Sequence, residues 1–188
     1  IVVNPKTGGN GHMAYLAAWG SVRKKGGTDA QAAEFVSKLY KNVPVLAKGG
    51  RDATTIFLQR NIGDVLITFE SEVVSVDKEF GAGKVDAIHP STSIVAENPV
   101  AVVERTVAKK GTAEQAKAYL NFLYSDAGQE IAAQHAIRPS NPAILKKYAS
   151  TFKPIQLFTV DEFFGSFAEA QKVHFNDGGQ FDKLYTVK

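Results

Sequence analysis

Two glycine-rich stretches are the residues in this sequence best suited to chemistry. The first, TGGNG at residues 7–11, lies between a strand-like Ile-Val-Val segment and an Ala- and Leu-rich helical run; the second, KGGRD at residues 48–52, also leads from an apolar segment into a helical run. Backbone N–H groups at a helix start have no intrahelical acceptor and carry part of a positive charge, and glycine lets a ligand approach them closely. The pattern predicts anion binding. A tight turn without a ligand is the alternative interpretation.

Each glycine-rich stretch follows a predicted strand. Because loops at the carboxyl ends of parallel strands face the same crevice, we expect the two loops to lie together. Arg51 adds a charged, forked donor to the second loop, and Asp52 is expected to cap the helix that follows. Phe69 and Glu70 end the most hydrophobic predicted strand, at the same edge. Three interpretations are open for Glu70: it caps the next helix, it pairs with Arg51, or it is a surface carboxylate that follows a core aromatic, which is the more common case.

The sequence lacks the motifs of several other kinds of site. Neither G-x-x-x-x-G-K-[ST] nor G-x-G-x-x-G occurs, which argues against nucleotide binding. Cysteine, H-E-x-x-H and G-x-S-x-G are all missing, and no pair of carboxylates is marked as an acid and a base. We therefore predict no catalytic residues, no metal and no cofactor, and a protein that is not an enzyme. The histidines, none of them spaced as a metal-binding pair, are His12, His89, His135 and His174.

The composition is typical of a globular chain that is able to bind a small ligand. The 188 residues can form one domain or two small lobes, and the formal net charge of +3 comes from lysines scattered among acidic neighbours. We therefore predict no nucleic-acid partner. No apolar run approaches the length of a membrane span, so we predict no membrane insertion. The first residues are typical of a strand, and we expect no signal peptide among them.

The elements that position the two loops alternate between strand and helix over the first part of the chain. Apolar runs predict strands at residues 1–3, 43–47, 65–69, 85–89 and 99–103, with helices at 13–22, 52–60 and 70–80. This alternation predicts an α/β layer with a largely parallel sheet. Capping boxes predict helix starts at Thr28, Thr112 and Thr159. The rest is helical, so we expect a β/α unit with the anion-binding loops at residues 1–97 and a helical segment at 98–188.

Seven longer segments of the sequence are each a weak signal alone, but their combination is specific to one protein family. They are NPKTGGN, AYLAAWG, GGRDATTIF, GDVLITFESE, GTAEQAKAYLNFLYSDAGQEIAAQ, IRPSNP and LFTVDEFFGSFAEAQKVHF. In combination they resemble the periplasmic sulfate-binding proteins of ABC importers, a family that includes thiosulfate-binding members. The resemblance implies a type II periplasmic-binding-protein fold, with this chain as its second lobe plus the return segment to an absent first lobe. It also implies a periplasmic location and ABC permease subunits as partners.

The resemblance further implies which residues hold the ligand, sulfate or a related oxyanion such as thiosulfate. The positions of this chain that correspond to the family's ligand-binding residues are Gly8, Gly9, Asn10, Gly50, Arg51 and Phe69. In the family the first of these positions offers a serine hydroxyl, and the next two offer backbone N–H groups. Gly50 offers another backbone N–H with Arg51 close by, and the last position carries a tryptophan N–H donor. The remaining donors belong to the absent lobe.

Gly8 and Phe69 depart from the family pattern. Gly8 has no hydroxyl, and a phenylalanine at position 69 has no N–H to donate. Each missing donor to a buried anion costs about 1–3 kcal/mol, and phenylalanine leaves more room than tryptophan for a larger anion. The main hypothesis is therefore a solute-binding protein for sulfate or a related oxyanion. The alternative is an interaction or structural module that kept the fold and lost the ligand, and a phosphoryl-transfer enzyme is a third hypothesis.

Overall fold

The computed structural model describes residues 1–81 and 83–185, and the chain divides into two compact units. The first unit combines residues 1–96 with the chain from residue 155 onward, and the second unit comprises residues 97–154. The elements of the first unit are β1 (Val2–Val3), α1 (Gly9–Lys24), α2 (Asp29–Lys41), β2 (Leu46–Ala47), α3 (Gly50–Leu58), α4 (Glu70–Phe80), β3 (Thr92–Ile94), β4 (Gln156–Phe158), α9 (Val160–Phe164), α10 (Phe167–Ala170), a π-helical turn (Gln171–Phe175) and α11 (Gln180–Leu184). Those of the second unit are α5 (Glu104–Lys110), α6 (Ala113–Leu123), α7 (Asp126–Gln134) and α8 (Pro142–Lys147).

The strands of the first unit form two short parallel pairs. In the first pair Val2 lies opposite Leu46 and Val3 opposite Ala47. In the second pair β3 and β4 run side by side from Thr92 opposite Gln156. Parallel neighbours need a crossover connection, and α1 with α2 provides it between β1 and β2. The predicted α/β class with parallel strand pairing is confirmed, although the ladders are shorter than expected.

An aromatic core fixes α1 in the first unit. Tyr15 and Leu16 of α1 are fully buried, and Tyr40 of α2 is 1% exposed. The ring of Tyr15 lies 5.1 Å from that of Phe175, and the ring of Tyr40 lies 5.2 Å from that of Phe181, measured between centroids. Large buried rings supply much of the burial energy of a core. The start of α1 is therefore held in place by the packing of its later turns.

The three predicted capping boxes differ in which of their hydrogen bonds form. Thr28 and Gln31 exchange the two expected bonds at the start of α2, with Thr28 N–H donating to Gln31 Oε1 at 2.8 Å. Thr159 N–H likewise donates to Glu162 Oε1 at 3.2 Å. The helix start predicted at Thr112 is confirmed, because α6 begins at Ala113, but the capping box itself does not form, because the Thr112 side chain makes no capping bond. Thr112 N–H instead donates to Val107 O at the end of α5, and its φ of −114° and ψ of 23° differ from the extended backbone of an N-cap.

The segments predicted as strands at 65–69, 85–89 and 99–103 form no ladder in the structure. The segment at 65–69 does run beside β1, where Ile67 N–H donates to Ile1 O at 3.0 Å and the Ile1 amino group donates to Val65 O. A strand needs a continued series of such bonds. Ile88, in the next segment, is 83% exposed. Apolar composition alone therefore overestimated the number of strands.

The end of the chain does not follow the predicted division into residues 1–97 and 98–188. The structure groups the chain from residue 155 with the first unit, because β4 pairs with β3 and Phe158 is 1% exposed in the first unit's core. This pairing connects residues far apart in sequence, which local patterns do not reveal. Residues 186–188 of the predicted segment lie outside the described residues. In the described ranges, no helix has both the length and the apolar character that a membrane span requires.

Replacing Gly20 by alanine should lower the free energy of unfolding by about 1–3 kcal/mol. A Cβ atom at Gly20 would lie 2.3 Å from two ring carbons of Phe158, and that ring is too deeply buried to move aside. Urea titration of the variant measures the change. The matched control is Gly9→Ala, a helical glycine whose Cβ would meet nothing within 4 Å. Equal stability of the two variants would contradict this packing argument.

Candidate functional site

The two glycine-rich loops lie next to each other at one edge of the β1–β2 pair. Asn4 N–H donates to Ala47 O at 2.9 Å, one step beyond the ladder, so the two chains leave the sheet together. A Cβ atom on Gly8 would lie 3.5 Å from Lys48 O, and one on Gly50 would lie 3.3 Å from Asn10 Nδ2. The helices α1 and α3 therefore begin side by side, as expected from parallel strands.

The start of α1 offers three successive backbone donors. Gly8 is the N-cap, with extended φ and ψ of −133° and 134°. The helical ladder begins where His12 N–H donates to Gly8 O at 3.0 Å. The N–H groups of Gly9, Asn10 and Gly11 precede this bond and have no intrahelical acceptor. Gly8 N–H donates to Asn4 O at 3.1 Å, so Gly8 itself shapes the turn and offers no donor to a ligand.

Gly11 lies in the loop that the sequence predicted to bind an anion, but it was not named among the individual ligand-binding residues. A Cβ atom there would lie 2.5 Å from Val3 O and 2.6 Å from Asn4 O, both backbone atoms. The start of α1 can therefore approach the end of β1 this closely only with glycine at this position. The position within the Gly-Asn-Gly stretch was the available signal for such a close approach.

The start of α3 repeats this arrangement. Gly49 is the N-cap, with an extended φ of −165°, and the ladder begins where Ala53 N–H donates to Gly49 O at 2.9 Å. The N–H groups of Gly50, Arg51 and Asp52 precede that bond. The carboxylate of Asp52 accepts from Lys48 N–H at 2.9 Å, which fixes the loop in front of the helix. Asp52 thus serves the loop structure, in line with its expected capping role.

The guanidinium of Arg51 is engaged by carboxylates of α4. Its Nη1 donates to Glu79 Oε2, and its Nη2 lies 3.8 Å from Glu72 Oε2. Glu72 also accepts from the hydroxyl of Thr54, a residue that is fully buried, at 3.2 Å. The charge of Arg51 is therefore largely balanced within the protein. The partners of Arg51 are Glu72 and Glu79, so the expected pair with Glu70 is wrong; Glu70 Oε1 lies 3.6 Å from His89 Nε2.

Phe69 stands at the start of α4, close to the other helix starts. It is the N-cap residue, and its carbonyl accepts from Glu72 N–H at 3.0 Å. A Cβ atom on Gly50 would lie 3.9 Å from Thr68 Oγ1 and 3.8 Å from Glu72 Cγ, which sets the start of α4 beside that of α3. Thr68 also accepts from Asn10 Nδ2 at 3.2 Å. Thr68 and Glu72 are further site residues that the sequence did not mark.

The arrangement suits an anion held mainly by neutral donors. Helix starts concentrate unpaired N–H groups and partial positive charge, and here α1 and α3 do so at adjacent positions. Within residues 1–81 and 83–185, no group of three or more His, Asp or Glu side chains is placed to hold a metal ion. Of the nearby carboxylates, Glu72 and Glu79 contact Arg51 or Thr54, and Asp52 accepts from Lys48 N–H.

Comparison with known proteins gives the family. The family described as bacterial extracellular solute-binding protein matches residues 1–138. The chain belongs to this family. It is 53% identical over 186 residues to the thiosulfate-binding protein of Pseudomonas aeruginosa, covering 99% of this chain and 56% of the relative. It is 48% identical over 185 residues to the sulfate-binding protein of Escherichia coli, covering 98% of this chain and 56% of the relative.

A solved structure of another family member supports the fold. The sulfate-binding protein SubI from Mycobacterium tuberculosis matches with a TM-score of 0.78 at 30% identity, over 92% of this chain and 58% of that one. The chain therefore spans a little over half the length of the relatives it matches. The resemblance noted from the sequence is confirmed, as is the class of fold. The roles of individual residues in this solute-binding protein remain predictions.

Proposed function

We propose that this chain is the oxyanion-binding part of a solute-binding protein that delivers sulfate, or a related anion such as thiosulfate, to an ABC importer. The observation that carries the proposal is the side-by-side start of α1 and α3, where backbone N–H groups precede both helical ladders. The ligand would accept hydrogen bonds from Gly9, Asn10 and Gly50. Two of the relatives are named for thiosulfate binding and sulfate binding, which supports this class of ligand.

The selectivity follows from the kind of groups at the helix starts. A fully ionised oxyanion needs only donors, whereas a protonated phosphate also needs an acceptor for its proton. Glu72 is the carboxylate beside Gly50, and it already accepts from Thr54 while lying near Arg51. Its Oε2 is therefore already engaged, and the backbone N–H donors are the main groups that the helix starts offer to a ligand. We infer that sulfate and thiosulfate bind in preference to phosphate.

The role of a carrier implies a location and partners. We infer that the protein works in the periplasm, binds its anion without chemical turnover, and passes it to ABC permease subunits. An assay with generic phosphatase substrates should accordingly show no product.

We also propose that a further lobe covers part of the second unit and completes the ligand site. None of the residues of α6 is buried, and the second unit exposes several large apolar side chains. They include Val103, Tyr119, Phe122, Tyr124, Ile131 and Ile137. Exposed apolar side chains that lie together mark interfaces. The relatives extend well beyond the matched region, which provides the chain needed to form such a lobe.

A calorimetric titration of the complete protein with sulfate, thiosulfate, molybdate and phosphate in chloride buffer tests the proposal. We expect one saturable site for sulfate or thiosulfate and a weaker response to phosphate. If none of the four anions gives a binding signal, the proposal is wrong. That result would favour the ligand-free module, whose basis in the structure is that Gly8 and Phe69 bring no polar side chain to the site.

A further inference from the structure

Asn10 carries the side-chain donor best placed to reach a ligand at these helix starts. Gly8, Gly9 and Gly50 have no side chain, and that of Phe69 contains only carbon. The guanidinium of Arg51 is bound by Glu79 and lies near Glu72. Among the candidate site residues, the carboxamide of Asn10 is therefore the one neutral side chain with N–H groups.

The position of this carboxamide matches that role. Its Nδ2 lies 3.3 Å from the point that a Cβ atom on Gly50 would occupy, so it stands between the starts of α1 and α3. A carboxamide nitrogen carries two N–H donors. One of them is taken by Thr68 Oγ1 at 3.2 Å. The second N–H has no acceptor among the described residues.

The oxygen of the same carboxamide lacks a hydrogen-bond partner in the described part of the chain, which is unusual for a buried polar atom. Asn10 Oδ1 is buried and has no hydrogen-bond partner among the described residues. A buried acceptor without a partner is costly. Rotating the carboxamide by half a turn would let the hydroxyl of Thr68 donate to Oδ1, but it would turn both N–H donors away from Gly50. In the orientation that the structure shows, Nδ2 lies next to Gly50.

We propose that the Asn10 carboxamide donates a hydrogen bond to the bound oxyanion and that Thr68 orients it for this purpose. The inference rests on the proposed function and adds a specificity-determining side chain to the backbone donors. A neutral N–H donor contributes no charge. In this orientation the group offers no acceptor for the proton of a protonated anion, so it favours sulfate or thiosulfate over phosphate.

Substitutions at Asn10 in the complete protein test the inference by calorimetry with sulfate and thiosulfate. Asn10→Ala should weaken binding about ten- to a hundredfold, because one charge-assisted hydrogen bond is lost. Asn10→Asp should weaken it further, because an acceptor replaces the donor. Thr68→Val should cause a loss of several fold. The matched control is Asn42→Ala, an exposed asparagine at the end of α2, which should leave the affinity unchanged.

A second measurement needs no substitution. Saturation of the isotope-labelled wild-type protein with sulfate should shift the side-chain amide proton resonances of Asn10 downfield and leave those of Asn42 in place. If the wild type binds and Asn10→Ala binds with the same affinity, this inference is wrong and the proposed function stands. The same holds if the wild type binds and the Asn10 amide resonances do not shift. A wild-type protein that binds none of the oxyanions overturns both. Equal losses in Asn10→Ala and Asn42→Ala indicate general destabilisation and also count against the inference.

Discussion

Replacing Gly9 by aspartate is expected to abolish oxyanion binding by the complete protein while raising its free energy of unfolding. Gly9 is the first residue of α1, and a Cβ atom there would meet nothing within 4 Å, so the side chain fits. A carboxylate in the first turn stabilises a helix, and glycine is a poor helix former; together we expect a gain of about 1 kcal/mol. The same carboxylate repels each unit charge of a bound anion about 5 Å away by about 3 kcal/mol, so a doubly charged sulfate loses about 6 kcal/mol, or about four orders of magnitude in affinity.

The opposite signs of these effects make the test strict. Urea titration measures the stability, and calorimetry with sulfate and thiosulfate measures the affinity. The matched control is Gly9→Asn, which has almost the same shape without the charge and should retain binding to within about tenfold. An aspartate variant that binds sulfate as the wild type does would show that the anion does not lie at the start of α1. A variant that loses binding together with stability would point to a damaged fold instead.

The glycine-rich loops could be predicted because their chemistry is local. A glycine pair after an apolar run predicts a turn into a helix, and the structure places both such turns at one sheet edge. The start of α1 was expected at Met13 but lies at Gly9. Glycine has low helix propensity, so the sequence suggested that residues 9–11 were a loop. Burial of Tyr15 and Leu16 holds the helix firmly enough to extend it through these residues.

The surroundings of the loops could not be predicted because they depend on contacts distant in sequence. Arg51 binds Glu79, which lies 28 positions later, and Asn10 binds Thr68, which lies 58 positions later. Neither pair has a periodic spacing that would reveal it. The pairing of β4 with β3 is a similar case, because an entire compact unit at residues 97–154 separates the two strands in sequence. The motifs therefore predicted which loops carry the backbone N–H donors. The side-chain partners of Arg51 and Asn10 depend on the tertiary structure.

A buried histidine outside the candidate site makes the stability of the first unit dependent on pH. His174 is 6% exposed, and its Nδ1 lies 3.0 Å from Tyr15 Oη. Its ring packs against Trp19, 4.7 Å away between centroids. Burial lowers the pKa of His174 to about 4, although the charge of Asp29 opposes this shift. The folded protein thus holds the imidazole neutral, and Tyr15 can donate to it.

Stability should therefore fall as the pH drops through the range from the unfolded-state pKa of His174, about 6.5, toward its folded-state pKa of about 4. The contribution is fully present above this range, because protons bind more readily to the unfolded chain within it. Between about pH 7.5 and about pH 5 we expect the free energy of unfolding to fall by about 2 kcal/mol on account of this residue. Urea titrations at the two pH values measure the fall. His174→Gln should remove this part of it, although His12, whose pKa burial also lowers, keeps a contribution of the same sign. His135→Gln, at an exposed position, is the control and should retain the full dependence; an unchanged dependence in His174→Gln would show that the core does not resist charging this ring.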